Sequence, residues 1–262
     1  MRFSITLTAL WGLFCGGCYH PEAGKDPFTY AYDGIIRGRT DEKALALVFT
    51  GDRYADGADH IRASLNRHAV KASFFFTGHF YREDAFADVI TALRTDGHYL
   101  GAHSDKHLLY CSWENRDSLL VTKTEFIEDL EGNYQEMARF GILRAEARYF
   151  MPPYEWYNAR ISAWTKEFGL TLINFTPGTR SNADYTTPDM GARYLPSEVI
   201  LQSILTAEQD DPNGLNGFIL LIHIGTAPER TDKFYRHLDT LITALLEKNY
   251  RFERIDTLLA KP

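Results

Sequence analysis

The sequence predicts an α/β fold in which parallel strands covered by helices curl into a distorted or incomplete (β/α) barrel. Apolar, strand-like runs alternate with amphipathic, helix-like runs along most of the 262 residues, and alternating β and α units give a parallel sheet with helices on its faces. Six or seven such units in about 220 residues suit a barrel, whole or lacking a strand, better than an open sheet. The chain is 45% hydrophobic, enough to bury one large core, and its length fits a single main domain.

Taken in order, residues 1–18 read as a signal peptide of lipoprotein type. Arg2 precedes an apolar run too short to span a membrane, and Gly16 and Gly17 stand before Cys18. This resembles a bacterial lipobox, whose cysteine is lipid-modified and becomes the new N-terminus, with Cys15 an unusual residue at its position. A plain secretory signal and a buried N-terminal strand or helix are the alternatives. With Cys18 lipidated, Cys111 is the one cysteine left over, and no intramolecular disulfide braces the fold. Residues 19–40, polar and broken by Pro21, Pro27 and several glycines, read as a tether and lead-in segment. The main domain is expected over 41–262.

Within it, strands are expected at 44–50, 70–78, 98–103, 147–151, 170–176, 217–223 and 250–255. Helices are expected at 58–68, 84–96, 123–140, 159–169, 196–209 and 230–249, several with apolar residues at three and four spacing. No internal repeat or low-complexity segment interrupts them. The net charge of −7 and the absence of a basic run exclude nucleic acid and an anionic membrane surface as the main partner. A neutral or cationic substrate fits better, and membrane contact is expected only through an N-terminal lipid anchor.

Parallel β/α folds build their sites at the C-terminal ends of the strands, so the polar residues just past each strand are the candidates. Asp52 and Asp56 follow the first strand, His103 and His107 the third, Tyr154 and Glu155 the fourth. Asp184 and Asp189 follow the fifth, and His223 ends the sixth. His103 and His107 are four apart, so a helical turn there would face both imidazoles one way, able to share an ion. Two His and one Asp suit Zn²⁺, Co²⁺ or another divalent metal with open positions for water and substrate. Surface histidines, an exposed acid at Glu155 and a satisfied core histidine at His223 are the competing roles. Asp52 or, better, Asp56 before Gly57 would serve as a helix cap.

LALVFTGDRYADG, KASFFFTGHF, GHYLGAHSDKH, RYFMPPYEWYN and ILLIHIG, in that order, resemble the motifs of the polysaccharide deacetylases, the NodB-homology domain of carbohydrate esterase family 4. The resemblance covers roughly residues 41 to 258. It implies a distorted (β/α) barrel, a divalent metal ion held by one Asp and two His, and hydrolysis of an N- or O-acetyl group on a sugar. It carries over to His103 and His107 as ligands, with zinc expected and cobalt or nickel as substitutes, and to His223 as the acid that protonates the leaving group. Two motifs depart. The family's first motif is Phe-Asp-Asp-Gly, with base and metal ligand in turn; here Thr50 falls at the base and Gly51 at the ligand, and Asp52 comes one place late. The family's third-motif Arg, which orients the base, is replaced by Met151, and Glu155 stands where the family often has Gly.

The two losses belong together, because an Arg with no base carboxylate would face an unpaired site. Two readings follow. In one, Asp52 is the metal ligand and Glu155 the base, its pKa raised by an aromatic setting. In the other, the catalytic half has decayed and a non-catalytic glycan- or metal-binding envelope lipoprotein remains. The first is favoured, since decay alone has no reason to add a carboxylate where the Arg was lost. A glycosidase using Asp52 and Glu155 across a cleft is a third class. Tyr154, Trp156 and Trp113, with Tyr157, are candidates to stack on sugar rings. The expected partner is an acetylated glycan, and the expected location is the bacterial cell envelope, lipid-anchored or periplasmic.

Overall fold

The structure, a computed structural model, describes residues 27–260; the expected signal peptide with Cys18, and residues 19–26 of the tether, lie outside the described residues. β1 (Thr29–Ala31) and β2 (Gly34–Arg37) form an antiparallel hairpin. The main sheet comprises β3 (Ala44–Gly51), β4 (Ser73–Phe76), β5 (Tyr99–Ala102), β6 (Tyr149–Phe150), β7 (Thr171–Leu172), β8 (Ile219–His223) and β9 (Arg251–Phe252). Its order is β7-β6-β5-β4-β3-β8, with β9 beside the start of β3, and the strands run parallel. The covering helices are α1 (Ala58–Arg67), α2 (Gly78–Arg82), α3 (Ala87–Thr95), α4 (Lys123–Arg139), α5 (Ala159–Glu167), α6 (Ser197–Asp210), α7 (Leu238–Glu247) and α8 (Ile255–Leu258). This is the curled parallel sheet that the alternation predicts.

The two-residue period of the strands sorts the side chains into layers. Leu45, Leu47 and Phe49 of β3 join Leu220 and Ile222 of β8 in the cluster under the helices. Ala46 and Val48 join Ile219 and Leu221 in a second cluster inside the curl, with Phe75, Tyr99 and Met151. Thr50 and His223 continue the inner series and are register partners, so both reach the mouth of the curl.

β7 and β8 do not pair, and the hairpin bridges the gap between them. Ile35 pairs with Ile173 just past β7, and Arg37 with Phe218 just before β8. The Arg37 guanidinium donates to Asp211 Oδ2 and to the Asn216 carbonyl, each at 2.8 Å. The lead-in segment, for which the sequence suggested no strand, is therefore part of the barrel wall.

Other differences are local. Strands expected at 147–151 and 170–176 shrink to two residues each: β6 meets β5 at the single pair Ala102–Phe150, and β7, the edge strand, pairs with β6 over two residues. The expected last strand divides into β9 and α8. α2 was hidden behind the apolar run FFF, and the residue that starts it is Thr77, whose hydroxyl accepts the Phe80 N–H. α4 begins with a capping box between Thr122 and Glu125. The ring of Phe49 stacks on Phe74 with centroids 4.9 Å apart. Phe49→Ala is expected to lower stability by about 3–5 kcal/mol, measured by chemical denaturation.

Candidate active site

At the C-terminal ends of the strands lies a cleft of about 1000 Å³, lined among others by Thr50, Asp52, His103, His107, Glu155 and His223. The structure thus brings the expected catalytic and metal-ligand candidates into one cleft, with Trp113 and Tyr154 on its wall.

His103 and His107 meet, their ring centroids 5.2 Å apart, but not through a helical turn. The segment from 103 to 107 is a loop in which Ser104 and His107 take left-handed φ values of 76° and 55°. α4 holds that loop. The Asp129 carboxylate accepts from Ser104 Oγ at 2.6 Å, Lys106 N at 3.0 Å and Tyr110 Oη at 2.7 Å. Asn133, one turn on, accepts the His103 N–H at 2.9 Å and donates to the Phe76 carbonyl at 3.2 Å. Neither residue was singled out from the sequence. The available signal was two short polar residues at i, i+4 on the face of α4 that also buries Phe126, Leu130 and Met137.

His103 Nδ1 donates to the Met151 carbonyl at 2.8 Å, which leaves Nε2 as a lone-pair nitrogen. Burial, and then the neighbouring His107, hold the His103 pKa well below the usual value. Burial likewise lowers His107 to about 4, against a smaller opposing pull from the charge of Asp52. Both rings are therefore neutral at pH 7, the form a metal ion requires.

Asp52 is less free than the sequence implied. Its Oδ1 accepts from Thr77 Oγ1 at 2.8 Å and lies 3.1 Å from His79 Nδ1, while Arg53 stands 3.4 Å from Oδ2. Among the described residues no three His, Cys, Asp or Glu side chains converge closely enough to form a ligand set. The chemistry of the His pair fits a divalent cation, and the charge of Asp52 is the largest influence on His107 after burial. Gly51 cannot stand in as a ligand position: a Cβ there would lie 2.7 Å from Ile224 Cγ2 and 3.0 Å from Phe76. Asp56 does not cap α1, whose N-cap is Gly57. It accepts instead from Thr226 N at 2.9 Å, Tyr235 Oη at 3.1 Å and Lys233 Nζ at 2.9 Å, which pins the loop after β8.

Glu155 follows β6 on a tight turn where Tyr154 and Glu155 have φ of 58° and 53°. The left-handed region costs side chains other than Gly of order 1 kcal/mol or more, which accounts for a glycine being the easy residue here. The Asn174 side chain donates to the Glu155 carbonyl at 2.8 Å and fixes the turn. Burial pushes the Glu155 carboxyl up to about 7; the charge of His223 pulls it down and that of Asp184 up, each by less. Met151, at the position of the missing Arg, is fully buried in the inner apolar cluster.

His223 is held by Asp184, which settles the choice between Asp184 and Asp189. Asp184 Oδ1 lies 2.6 Å from His223 Nδ1, and Oδ2 accepts the His223 backbone N–H at 2.8 Å. Asp189 lines the cleft and accepts from Thr187. Burial works to lower the His223 pKa, but the charge and hydrogen bond of Asp184, with Glu155 adding, outweigh it and leave it raised. The segment carrying Asp184 is anchored by the fully buried Arg230, which donates to the carbonyls of Thr186 and Leu195 and to Ser197 Oγ. Trp156 does not line the cleft but backs Trp113, with its Nε1–H donated to the Ser112 carbonyl at 3.1 Å. Tyr157 is buried, its hydroxyl on the Ala31 carbonyl.

Two outcomes follow from these environments. A carboxyl raised in the folded state is destabilising once pH exceeds its unfolded value, so Glu155→Gln raises stability at pH 8 and is near neutral at pH 5. Glu155→Gly adds about 1 kcal/mol at both pH values by relieving the turn; denaturation midpoints at the two pH values read both effects. A raised imidazole stabilises fully below about 6.5 and loses that contribution as pH rises through its folded value. In Asp184→Asn the His223 titration midpoint, followed by NMR, falls below that of the parent protein.

Comparison with known proteins agrees with the fold and sequence motifs. The family model described as "Polysaccharide deacetylase" matches residues 37–173. The peptidoglycan-N-acetylmuramic acid deacetylase PdaA of Bacillus subtilis (strain 168) is 24% identical over 242 residues, which is 91% of this chain and 81% of that one. The structure of Bacillus subtilis PdaA, a family 4 carbohydrate esterase, superposes with a TM-score of 0.67 at 22% identity, covering 87% of this chain and 85% of that one. BA3943 of Bacillus anthracis, described as a CE4 family pseudoenzyme, superposes with a TM-score of 0.67 at 20% identity, over 88% of this chain and 70% of that one. With the motifs in order along a curled parallel sheet and the family model matching more than half of its length, this chain belongs to the polysaccharide deacetylase family.

Proposed function

We propose that this protein is a metal-dependent hydrolase that removes N- or O-acetyl groups from an envelope glycan, with the base relocated from the first strand to Glu155. The observation that carries the reading is that two titrating groups, both raised, share one cleft. Glu155 is a carboxyl raised to about 7 and His223 an imidazole raised above its usual value, each within the other's electrostatic reach. A carboxyl brought up to neutral pH beside an imidazole that keeps its proton more firmly than usual is suited to base and acid roles.

His103 and His107 would hold one divalent ion, zinc first and cobalt or nickel as substitutes, with Asp52, whose charge reaches His107, the candidate for a third ligand. When bound, the ion supplies a polarised acetyl carbonyl and a more acidic water. The remaining work belongs to the chain. The Glu155 carboxylate takes the proton from the attacking water, and a backbone N–H near Tyr154 meets the developing oxyanion. Asp184 keeps a proton on His223 Nδ1, so the imidazolium donates from Nε2 to the departing amine or alkoxide. Trp113 and Tyr154, half exposed on the cleft wall, stack on the sugar while Trp156 backs them. Deacetylation of peptidoglycan is what the name of the Bacillus subtilis relative describes; a cell-envelope location, with a lipid on Cys18, accords with that substrate.

A second reading has its own support: Thr50 occupies the base position with its hydroxyl buried and unpaired, as in a site that has lost its chemistry and keeps only glycan binding. Acetate release decides between them. Glu155→Gln is expected to lower kcat at least a hundredfold, whereas the binding reading gives no acetate from either protein. The pH profile of kcat is expected to rise through about 7 as Glu155 ionises and to fall as His223 loses its proton. Elemental analysis of the His103→Ala and His107→Ala variants beside the parent protein is expected to find one divalent ion bound in the parent and lost in both.

A further inference from the structure

The rings on the cleft wall do not stop at its rim. From His107 the contacts run to Tyr154 at 4.4 Å between centroids, then Trp113 at 5.7 Å and Trp156 at 5.1 Å. The Arg116 guanidinium lies 3.3 Å over the Trp156 ring and 4.4 Å over that of Tyr32. Tyr32 sits at the tip of the β1–β2 hairpin. Three of these rings are far more exposed than packing requires: Trp113 at 54%, Tyr32 at 48% and Tyr154 at 45%.

The tip is built at a cost and held in place. Tyr32 and Asp33 form a two-residue turn with φ of 46° and 62°, a geometry that favours Asn and Gly and strains an aromatic residue. Ser162 Oγ donates to the Tyr32 carbonyl at 2.6 Å, and Tyr157 Oη to the Ala31 carbonyl at 2.9 Å. Asn158 Nδ2 donates to the Arg116 carbonyl at 2.7 Å. The seam-closing role of the hairpin rests on Ile35 and Arg37 and does not need an aromatic residue at its tip.

We propose that Tyr32, with Arg116 and Trp156 beside it, forms a distal glycan subsite that holds the sugar chain beyond the unit whose acetyl group enters the cleft. Pre-packed aromatic rings bind sugar faces with little loss of conformational freedom. The occupant is assigned by continuity, since the same run of rings begins inside the cleft with Tyr154 and Trp113. The subsite rests on the glycan reading given above, and it makes the protein select long chains over short ones.

The test is tryptophan fluorescence titration with dimers and hexamers of β-1,4-linked N-acetylglucosamine, and with short and long peptidoglycan glycan strands, alongside acetate release from each. Tyr32→Asn keeps the turn and removes the ring; Tyr32→Phe restores the ring. The parent protein is expected to bind the longer member of at least one series more tightly. In Tyr32→Asn that preference falls roughly fivefold to tenfold, and in Tyr32→Phe it returns. Equal loss for long and short chains, with the preference intact, would reduce Tyr32 to a structural residue and overturn the subsite. So would a parent protein with no length preference in either series. Length-selective binding without acetate release would leave the subsite standing and remove the deacetylase reading.

Discussion

The site depends first on the pleat of β3. A strand can send only alternate side chains inward, so once Ala46 and Val48 pack inside the curl, the next inward position is Thr50. The intervening Gly51 is pressed against Ile224, Phe76 and Phe80, which leaves no room for a ligand there. Thr50 stands at the position where a carboxylate would lie beside His223. Asp52 lies past the end of the strand, among Thr77, His79 and Arg53. After Asp184, a second carboxyl within electrostatic reach of His223 comes from past β6, from Glu155 and the turn that carries it.

That arrangement has a physical cost, and the cost argues for use. Glu155 adopts a backbone conformation suited to glycine and carries a carboxyl that burial resists ionising. Either burden would be relieved by a single change to glycine. Stability held back at one residue in this way is a pattern of functional sites. The same logic applies to Asp184, a nearly inaccessible acid whose two oxygens are both committed to His223, and to the buried Arg230 that secures its segment. Fold alone does not decide activity, and the matching superposition on a protein described as a pseudoenzyme places the question on these residues.

The architecture was legible in the sequence because strand and helix periodicities are local. β3, β8, α4 and α6 fall close to their expected limits, while the helix expected at 230–249 starts only at Leu238. Of the site, the histidines and Glu155 were legible as residues but not as geometry. The HSDKH loop reads as a possible helical turn, yet two left-handed residues and the side chains of Asp129 and Asn133 bring the rings together. Those two lie about 25 to 30 residues downstream of the loop they hold, a separation no local pattern reveals. Asp184 and Asp189 were indistinguishable until the fold set one against His223. The hairpin was read as a tether because polar, glycine-containing sequence carries no trace of the barrel seam it covers.

The proposed reaction turns on Glu155, a partly buried carboxyl raised toward neutral pH. The direct measurement is a carbon-13 NMR titration of the protein carrying carboxyl-labelled glutamate, with the Glu155 resonance assigned by its loss in Glu155→Gln. A midpoint near 7 is the predicted result. A midpoint in the ordinary glutamate range, near 4.3, would contradict the account and leave Glu155 an unremarkable acid at the edge of a binding cleft.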